Sequence, residues 1–201
     1  APEGFGDTKF MHIMGCSLMA NMDFAREIIK TMKMLKGLGA KVSFDPNVRL
    51  EMMRDKAVLG MLQEVFDSSS ILMPGVSELK MFTGMDDLDK AVEKVFQNPG
   101  LELLVLKNGS KGSLVYTRDG LAVEQPVYEV HQMDATGAGD SYDAAFICGL
   151  LEGKSLKEAA QMGAAAGALN AAAFGPMEGD ISPETVWRMI ETGGAEPRAT
   201  E

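Results

Sequence analysis

The sequence predicts an α/β fold built around a mainly parallel β-sheet. Short apolar runs alternate with longer segments of helical periodicity through roughly the first half of the chain. One of these runs, residues 101–106, is almost continuously apolar, which is typical of a strand buried on both faces. Strands that alternate with helices form right-handed βαβ units, and the strands of such units run in parallel.

Each element of this alternating half is predicted from its local pattern. Phe24, Ile28, Met32 and Leu35 recur at helical spacing, and two glycines end that helix before residue 40. We predict strands at residues 9–14, 42–44, 71–73 and 101–106. We predict helices at residues 24–38, 56–66, 77–82 and 88–97.

The second half of the chain changes to a hairpin followed by helices. Residues 113–116 and 121–124 flank the pair Asp119-Gly120, and an Asp-Gly pair between two apolar runs is a strong hairpin signal. Helices are predicted at residues 138–151 and 156–173 and from Pro183 onward. Without a long linker, we predict one domain over residues 1–192 and a flexible tail over residues 193–201.

Composition and charge restrict the classes of function. The 201 residues carry a net charge of -10, which argues against nucleic-acid binding because that requires clustered Lys and Arg. No apolar run reaches the roughly 18 to 20 residues of a membrane span. The two cysteines, Cys16 and Cys148, form no CxxC pattern, so we predict a protein of the reducing cytoplasm with no membrane partner.

The segment Gly137-Ala138-Gly139 suggests an anion-binding turn before an apolar helix. Small residues allow close approach of a ligand, and amide N–H groups at a helix N-terminus favour a bound phosphate. Asp140 follows in the first turn, where its carboxylate could take a proton from a hydroxyl group under phosphorylation. A base beside an oxyanion cradle is what phosphoryl transfer needs.

A simpler interpretation of the same four residues is a capped helix start, since Asp is common near helix N-termini. Two better known nucleotide loops are absent from the sequence. It contains no G-x-x-x-x-G-K-[ST] loop and no G-x-G-x-x-G fingerprint after its first strand.

The wider string around Asp140 resembles the C-terminal signature of the ribokinase-like (PfkB-type) carbohydrate kinases. Residues 134–140 read Asp-Ala-Thr-Gly-Ala-Gly-Asp, and the usual form in that family is Asp-Thr-x-Gly-Ala-Gly-Asp-x-Phe. The chain departs from it at Ala135, in place of Thr, and at Tyr142, in place of Phe. Neither departure affects the glycines or the aspartate of the signature.

Three further motifs extend this resemblance over about residues 10 to 190. Residues 45–49, Asp-Pro-Asn-Val-Arg, are similar to the family's Asp-Pro-Asn-x-Arg element. Residues 109–112, Gly-Ser-Lys-Gly, are similar to its Gly-x-x-Gly nucleotide loop. Residues 75–78 stand where the family has Asn-x-x-Glu, but Gly75 replaces the Asn, so the metal network of the family is incomplete here.

The resemblance implies a three-layer α/β/α ribokinase-like fold that uses ATP and Mg²⁺ to phosphorylate a hydroxyl group of a sugar or sugar acid. Asp140 would be the general base and would contact the acceptor, and the amides of Gly137, Ala138 and Gly139 would form the anion hole. Arg49 would bind the substrate. The residues implied in nucleotide binding are Lys107, Gly109, Lys111, Gly112 and Asn170, and those implied near the metal are Glu78 and Asp134.

Structural alternatives stay open for several of these residues. Glu78 could be a helix-start glutamate and Asp134 a turn aspartate. The loop at residues 109–112 could be an ordinary turn between strands. The alanines around Asn170 are explained equally well by tight helix packing.

Members of this family begin with an N-terminal region and a small β-lid, and we expect this chain to lack both. It is either part of a longer natural protein, which we favour because a sheet cut at its first strands would expose apolar edges, or a naturally short protein. We expect the 201 residues to be weakly active or inactive alone, because lid closure excludes water during phosphoryl transfer. Alternatives are a non-catalytic nucleotide- or sugar-binding remnant of such a kinase and, less favoured, a Rossmann-type oxidoreductase. The acceptor, whether a sugar acid or a ketohexose, and the presence of a homodimer are left open by the sequence.

Overall fold

The computed structural model of the chain describes residues 4–48 and 55–194. These residues form two compact units. The N-terminal unit lies within Ala1–Lys107 and Tyr116–Gly120, and the C-terminal unit lies within Asn108–Val115 and Leu121–Glu201. Most of the predicted tail lies outside the described residues, so its predicted flexibility stays a prediction.

Six strands form a sheet in which the spatial order follows the chain, β1 to β6. The strands are β1 Phe10–Met14, β2 Lys41–Asp45, β3 Ile71–Leu72, β4 Leu103–Lys107, β5 Ser113–Thr117 and β6 Gly120–Gln125. The first four pair in parallel, with Phe10 opposite Lys41, Ser43 opposite Ile71, and Ile71 opposite Leu103. The predicted α/β fold with a mainly parallel sheet is therefore confirmed, and β5 and β6 lie where the Asp-Gly hairpin is predicted.

Eight α-helices accompany these strands in the described part of the chain. They are α1 Gly15–Ala20, α2 Met22–Gly37, α3 Lys56–Ser68, α4 Val76–Thr83, α5 Leu88–Val95, α6 Ala138–Leu151, α7 Leu156–Ala171 and α8 Pro183–Thr192. All but α1 are predicted from the sequence. Helix α1 has no side-chain cap, and its six residues are too few to show a periodic pattern. A Cβ atom on Gly15 would overlap the Pro46 carbonyl oxygen, so its first position requires glycine.

The core of the N-terminal unit lies between its strands and helices. Phe44 and Leu104 have no exposed surface, as expected for strands covered on both faces. The Phe66 ring stacks on Phe82 with centroids 4.9 Å apart, and Phe44 meets Phe82 edge-on at 6.4 Å. These aromatic contacts join β2, α3 and α4, and so hold the carboxyl end of β2 in place.

Arg118, in the turn between β5 and β6, binds the segment that follows α5. Its guanidinium group donates to the carbonyl oxygens of Phe96 at 2.7 Å and of Asn98 and Leu101 at 3.0 Å. It also lies 5.8 Å from the centre of the Phe96 ring. Because these carbonyls belong to a helix end and a loop, the arginine supplies donors that the backbone there lacks.

We expect Arg118→Ala to lower the free energy of unfolding by about 1 kcal/mol, since three exposed or half-buried hydrogen bonds are lost together. Arg118→Lys should recover less than half of that loss, because an ammonium group cannot reach three carbonyls at once. Urea denaturation followed by circular dichroism measures both values. Arg188→Ala, at an exposed site on α8, is the control; an equal loss there would contradict this role of Arg118.

In the C-terminal unit, α6 and α7 pack closely through small residues. A Cβ atom on Gly163 would lie 3.0 Å from the Tyr142 ring, and one on Gly167 would lie 3.0 Å from the Ala138 carbonyl oxygen. Ala165 and Ala166 of α7 have no exposed surface. Tight helix packing therefore accounts for the alanine-rich stretch of α7, which is one of the two interpretations that the sequence left open.

Candidate active site

The turn that precedes α6 has a backbone that only glycine adopts readily. Gly137 has φ +79°, in the left-handed region, and a Cβ atom there would overlap the Pro176 carbonyl oxygen. Helix α6 begins at the next residue, Ala138. The sequence therefore folds into a sharp turn that requires glycine at this position, both for its conformation and for the close approach of Pro176.

The amide groups of this turn are not equivalent. The Ala138 N–H donates to the Ala135 carbonyl oxygen at 3.2 Å, and the Ser141 N–H donates to the Gly137 carbonyl oxygen at 2.9 Å. Gly139 and Asp140 fall in the first turn of α6, where helix geometry offers their N–H groups no acceptor within the helix. The positive end of the helix dipole adds to these two donors. The side chain of Asp140 is exposed beside them.

Asp134 orders the segment that leads into the turn. Its carboxylate accepts a hydrogen bond from the Thr136 amide N–H at 2.9 Å. Hydrogen bonds from the Thr136 hydroxyl and then the Thr136 amide, with a smaller contribution from the Gly175 amide, hold the pKa of Asp134 below its usual value. An ionised turn aspartate is one of the two interpretations of this residue from sequence, and the structure shows the contacts that it predicts.

The C-terminal end of α7 supports the same segment from behind. Asn170 has no exposed surface, and its side-chain amide donates to the Thr136 carbonyl oxygen at 2.8 Å. The Ala171 carbonyl oxygen accepts from the amides of Met133, at 2.8 Å, and Asp134, at 3.2 Å. The structure places Asn170 against the turn, and its predicted part in nucleotide binding stays a prediction.

The predicted nucleotide loop forms a short 3-10 turn, Gly109–Lys111. Gly112 closes it with φ +87°, and a Cβ atom there would overlap the Gln125 carbonyl oxygen. Directly after the loop, the Ser113 hydroxyl lies 2.8 Å from the Tyr142 hydroxyl of α6. Two motifs about 30 residues apart are thus joined by one buried hydrogen bond in the C-terminal unit. The side chain of Lys111 is exposed.

A separate polar cluster lies in the N-terminal unit, at the carboxyl ends of β2 and β4. The Lys107 ammonium donates to Asp45 at 2.9 Å, and the exposed fractions of the two side chains are only 18% and 5%. Asp45 also accepts from the Asn47 amide at 3.1 Å. The Lys107 backbone N–H donates to the Pro74 carbonyl oxygen at 2.9 Å. A buried pair of this kind fixes geometry, because leaving either charge without its partner is costly.

Glu78 holds two loops of that unit with its carboxylate. One oxygen accepts from the Val48 amide at 2.7 Å, and the other accepts from the Gly75 amide at 2.8 Å. The second contact caps α4, as the helix-start interpretation of Glu78 predicts. Each oxygen can still accept one more hydrogen bond, so the residue fits a metal-bound water but not a multidentate cage. In the described part of the chain, no group of three or more His, Cys, Asp or Glu residues could hold a metal ion.

Arg49, the predicted substrate contact, lies outside the described residues. The preceding residue, Val48, is the one that Glu78 binds. The sequence did not identify the partnership of Lys107 with Asp45, although a lysine at the end of an apolar strand indicates a partner, since lysine is almost never buried unpaired. It also missed the contact between Ser113 and Tyr142, for which the sequence holds no local signal.

Comparison with known proteins identifies the class to which this fold and this turn belong. The family model for the pfkB family carbohydrate kinases matches residues 4–183. The chain therefore belongs to the pfkB family of carbohydrate kinases, which confirms the resemblance of its motifs. Family membership also makes the Rossmann-type oxidoreductase alternative wrong.

Curated relatives include sugar kinases at moderate identity. The chain is 30% identical over 190 residues to the 5-dehydro-2-deoxygluconokinase of Clostridium perfringens. The matched region covers 92% of this chain and 56% of the relative. It is 30% identical over 173 residues to fructokinase-1 of Oryza sativa subsp. japonica, covering 82% of this chain and 53% of that protein. The chain thus spans about half the length of the curated relatives that it matches.

Solved structures match the fold closely. An E. coli protein assigned as ribokinase II, in its apo form, superposes with a TM-score of 0.87 at 28% identity, over 92% of this chain and 60% of that one. A second structure under the same assignment contains ATP and Mg²⁺, with a TM-score of 0.87 and 28% identity over 92% and 59% of the two chains. The predicted ribokinase-like three-layer α/β fold is confirmed. Among the helices of the described residues, none is long and apolar enough to cross a membrane.

Proposed function

We propose that this chain contributes the phosphoryl-transfer site of an ATP-dependent kinase that phosphorylates a hydroxyl group of a sugar or sugar acid. The observation that carries the proposal is the turn before α6, with glycine-only geometry at Gly137 and a free-standing carboxylate at Asp140. Membership of the pfkB family supports it, as do the ATP and Mg²⁺ bound by the E. coli relative.

Asp140 acts as the general base in this proposal. The acceptor oxygen attacks the γ-phosphorus of ATP, the bond from that phosphorus to the bridging oxygen breaks, and the proton of the hydroxyl group passes to the Asp140 carboxylate. The amides of the Gly137-Ala138-Gly139 turn, together with the Asp140 amide, stabilise the charge on the transferring group. Of these, the Gly139 and Asp140 amides are the strongest candidates, because the Ala138 amide already donates to Ala135.

The remaining roles follow the family pattern residue by residue. Lys107, Gly109, Lys111 and Gly112 contribute to ATP binding. Arg49 binds the acceptor. Glu78 and Asp134 would orient water bound to Mg²⁺, which supplies positive charge to the phosphates.

A second candidate function is a nucleotide- or sugar-binding module without catalysis. Gly75 in place of the family Asn favours it, as does the Glu78 carboxylate, which already holds two backbone amides. The two candidates differ in a single measurement, Mg²⁺-dependent consumption of ATP in the presence of an acceptor.

The test is an ADP-release assay with a panel of acceptors, run on the 201-residue chain and on the product of the natural gene. The panel contains 5-dehydro-2-deoxygluconate, 2-dehydro-3-deoxygluconate, fructose and ribose, the acceptors that the names of related kinases indicate. Acceptor-dependent ADP release by the gene product supports the kinase. Binding of ATP in calorimetry without release on any acceptor supports the binding module. Strong release by the 201-residue chain alone would contradict our expectation that it is weakly active or inactive.

The metal role of Glu78 has its own test. We expect Glu78→Gln to raise the Mg²⁺ concentration for half-maximal turnover about tenfold, because a neutral amide holds metal-bound water less well. Glu158→Gln is a matched control, since Glu158 caps α7 through the Ser155 amide in the same way. Both variants should lose a little thermal stability. An unchanged Mg²⁺ dependence in Glu78→Gln would leave Glu78 with the capping role alone.

A further inference from the structure

We propose that Asn170 is a positioning residue for the anion-binding turn and makes no direct contact with the nucleotide. The inference rests on the proposed kinase function and adds a residue to its machinery. Asn170 lies in α7, 34 residues from the carbonyl group that it binds. It has no exposed surface, so a ligand cannot reach its side chain without a rearrangement of α7 and the turn.

The side-chain amide of Asn170 fixes one carbonyl group of the turn. It donates to the Thr136 carbonyl oxygen at 2.8 Å, and only the amide nitrogen can do so, which sets the orientation of the side chain. The peptide unit that contains this carbonyl group continues into Gly137. A Cβ atom on Gly137 would lie 3.2 Å from the same Asn170 nitrogen, so the asparagine also limits the space behind the turn.

A pure packing role does not account for the choice of asparagine. The side-chain oxygen of Asn170 is buried and has no hydrogen-bond partner among the described residues. Such an orphaned acceptor is unfavourable for folding. The one hydrogen bond that the side chain makes goes to the Thr136 carbonyl oxygen. The amide is therefore placed at a cost to stability, and what it adds is a fixed direction for the Thr136 carbonyl group and the amides that follow.

The backbone provides an internal comparison. Ala171, the next residue of α7, holds the same segment through its carbonyl oxygen, which accepts from the Met133 and Asp134 amides. These two bonds do not involve the Asn170 side chain. Loss of that side chain should therefore loosen the turn at Ala138, whose amide donates to Ala135, and leave the Met133 amide protected.

The experiment combines hydrogen exchange with steady-state kinetics on the product of the natural gene. Two variants are used, Asn170→Ala, which removes both polar atoms, and Asn170→Asp, which keeps the shape. We expect exchange of the Ala138 amide to accelerate about tenfold or more in Asn170→Ala, with no change at Met133. We expect kcat to fall about tenfold to a hundredfold, with KM for ATP within about twofold of the parent value.

Asn170→Asp adds a pH-dependent test of the same hydrogen bond. Burial raises the pKa of a carboxyl group, and the protonated form can donate to the Thr136 carbonyl oxygen as the amide does. As pH falls, exchange of the Ala138 amide in Asn170→Asp should therefore slow toward the parent rate, and kcat should rise toward the parent value. As pH rises, exchange should accelerate and kcat should fall relative to the parent. Asn21→Ala is the control, because Asn21 caps α2 through the Asp23 and Phe24 amides, and its loss should lower Tm without affecting the turn.

Two results would overturn the inference. A raised KM for ATP with unchanged kcat and unchanged exchange would show a nucleotide contact, and unchanged values throughout would show that Asn170 only fills space. The exchange measurement needs no turnover. If the parent proves inactive on every acceptor, the proposed kinase function fails, while exchange at Ala138 still decides whether Asn170 positions the turn.

Discussion

Asp140→Asn is expected to lower kcat by about 10²- to 10⁴-fold while ATP affinity stays within about twofold, because asparagine keeps the size of the side chain but cannot accept a proton. Asp140 lies in the first turn of α6 with an exposed side chain and is not part of the hydrogen bonds that order the turn. The substitution should therefore remove the base and leave the cradle intact. Turnover is measured by ADP release, and ATP affinity by calorimetry.

Asp119→Asn provides the matched control for this prediction. Asp119 is an exposed aspartate between β5 and β6, and its loss changes the net charge by the same amount. It should retain parent turnover. Turnover of Asp140→Asn within about threefold of the parent would exclude general-base catalysis by this residue, since a positioned base contributes far more. A large loss of ATP affinity would instead assign Asp140 to nucleotide or metal binding.

The extent to which the fold is predictable depends on how local each signal is. Helix α6 is predicted with its observed bounds because small residues, an acidic first turn and an apolar run occur together in adjacent positions. Strands β2 to β4 are predicted because buried parallel strands read as short apolar runs, and β1, in which only Ile13 is buried, is predicted from a similar run. Helix α1 escapes prediction because its start has no side-chain cap, and the approach of the Pro46 carbonyl to Gly15 comes from another loop.

The features of the candidate site are likewise predictable where they are local in sequence and unpredictable where they depend on distant residues. The glycines, the aspartate of the turn and the family motifs are contiguous, so the sequence indicates them. The sequence does not show which glycine takes the left-handed conformation, because that depends on Pro176, nor that Asn170 reaches Thr136. Lys107 and Asp45 are 62 residues apart, and only the parallel pairing of their strands within one sheet brings their ends near. Contacts of this kind follow from tertiary structure and have no signature in composition or spacing.

Gly137→Ala is expected to lower both the free energy of unfolding and kcat. The added methyl group would overlap the Pro176 carbonyl oxygen and would also require φ near +79°, which alanine adopts only with strain. We expect a loss of about 2–3 kcal/mol in the free energy of unfolding, and a fall in kcat of about 10²-fold or more, because the first-turn amides can no longer point at the transferring phosphoryl group. Urea denaturation and ADP release measure the two effects.

Gly153→Ala separates the two causes of that loss. Gly153 has φ +73°, close to that of Gly137, but a Cβ atom there would have no heavy atom within 4 Å. It carries the backbone strain without the overlap, so it should cost about 1 kcal/mol and leave kcat unchanged. The difference between the two variants is the contribution of the contacts with Pro176 and Asn170. If Gly137→Ala behaved like Gly153→Ala in both measurements, the turn would tolerate a side chain, and the close-packed anion cradle on which the kinase proposal depends would not exist.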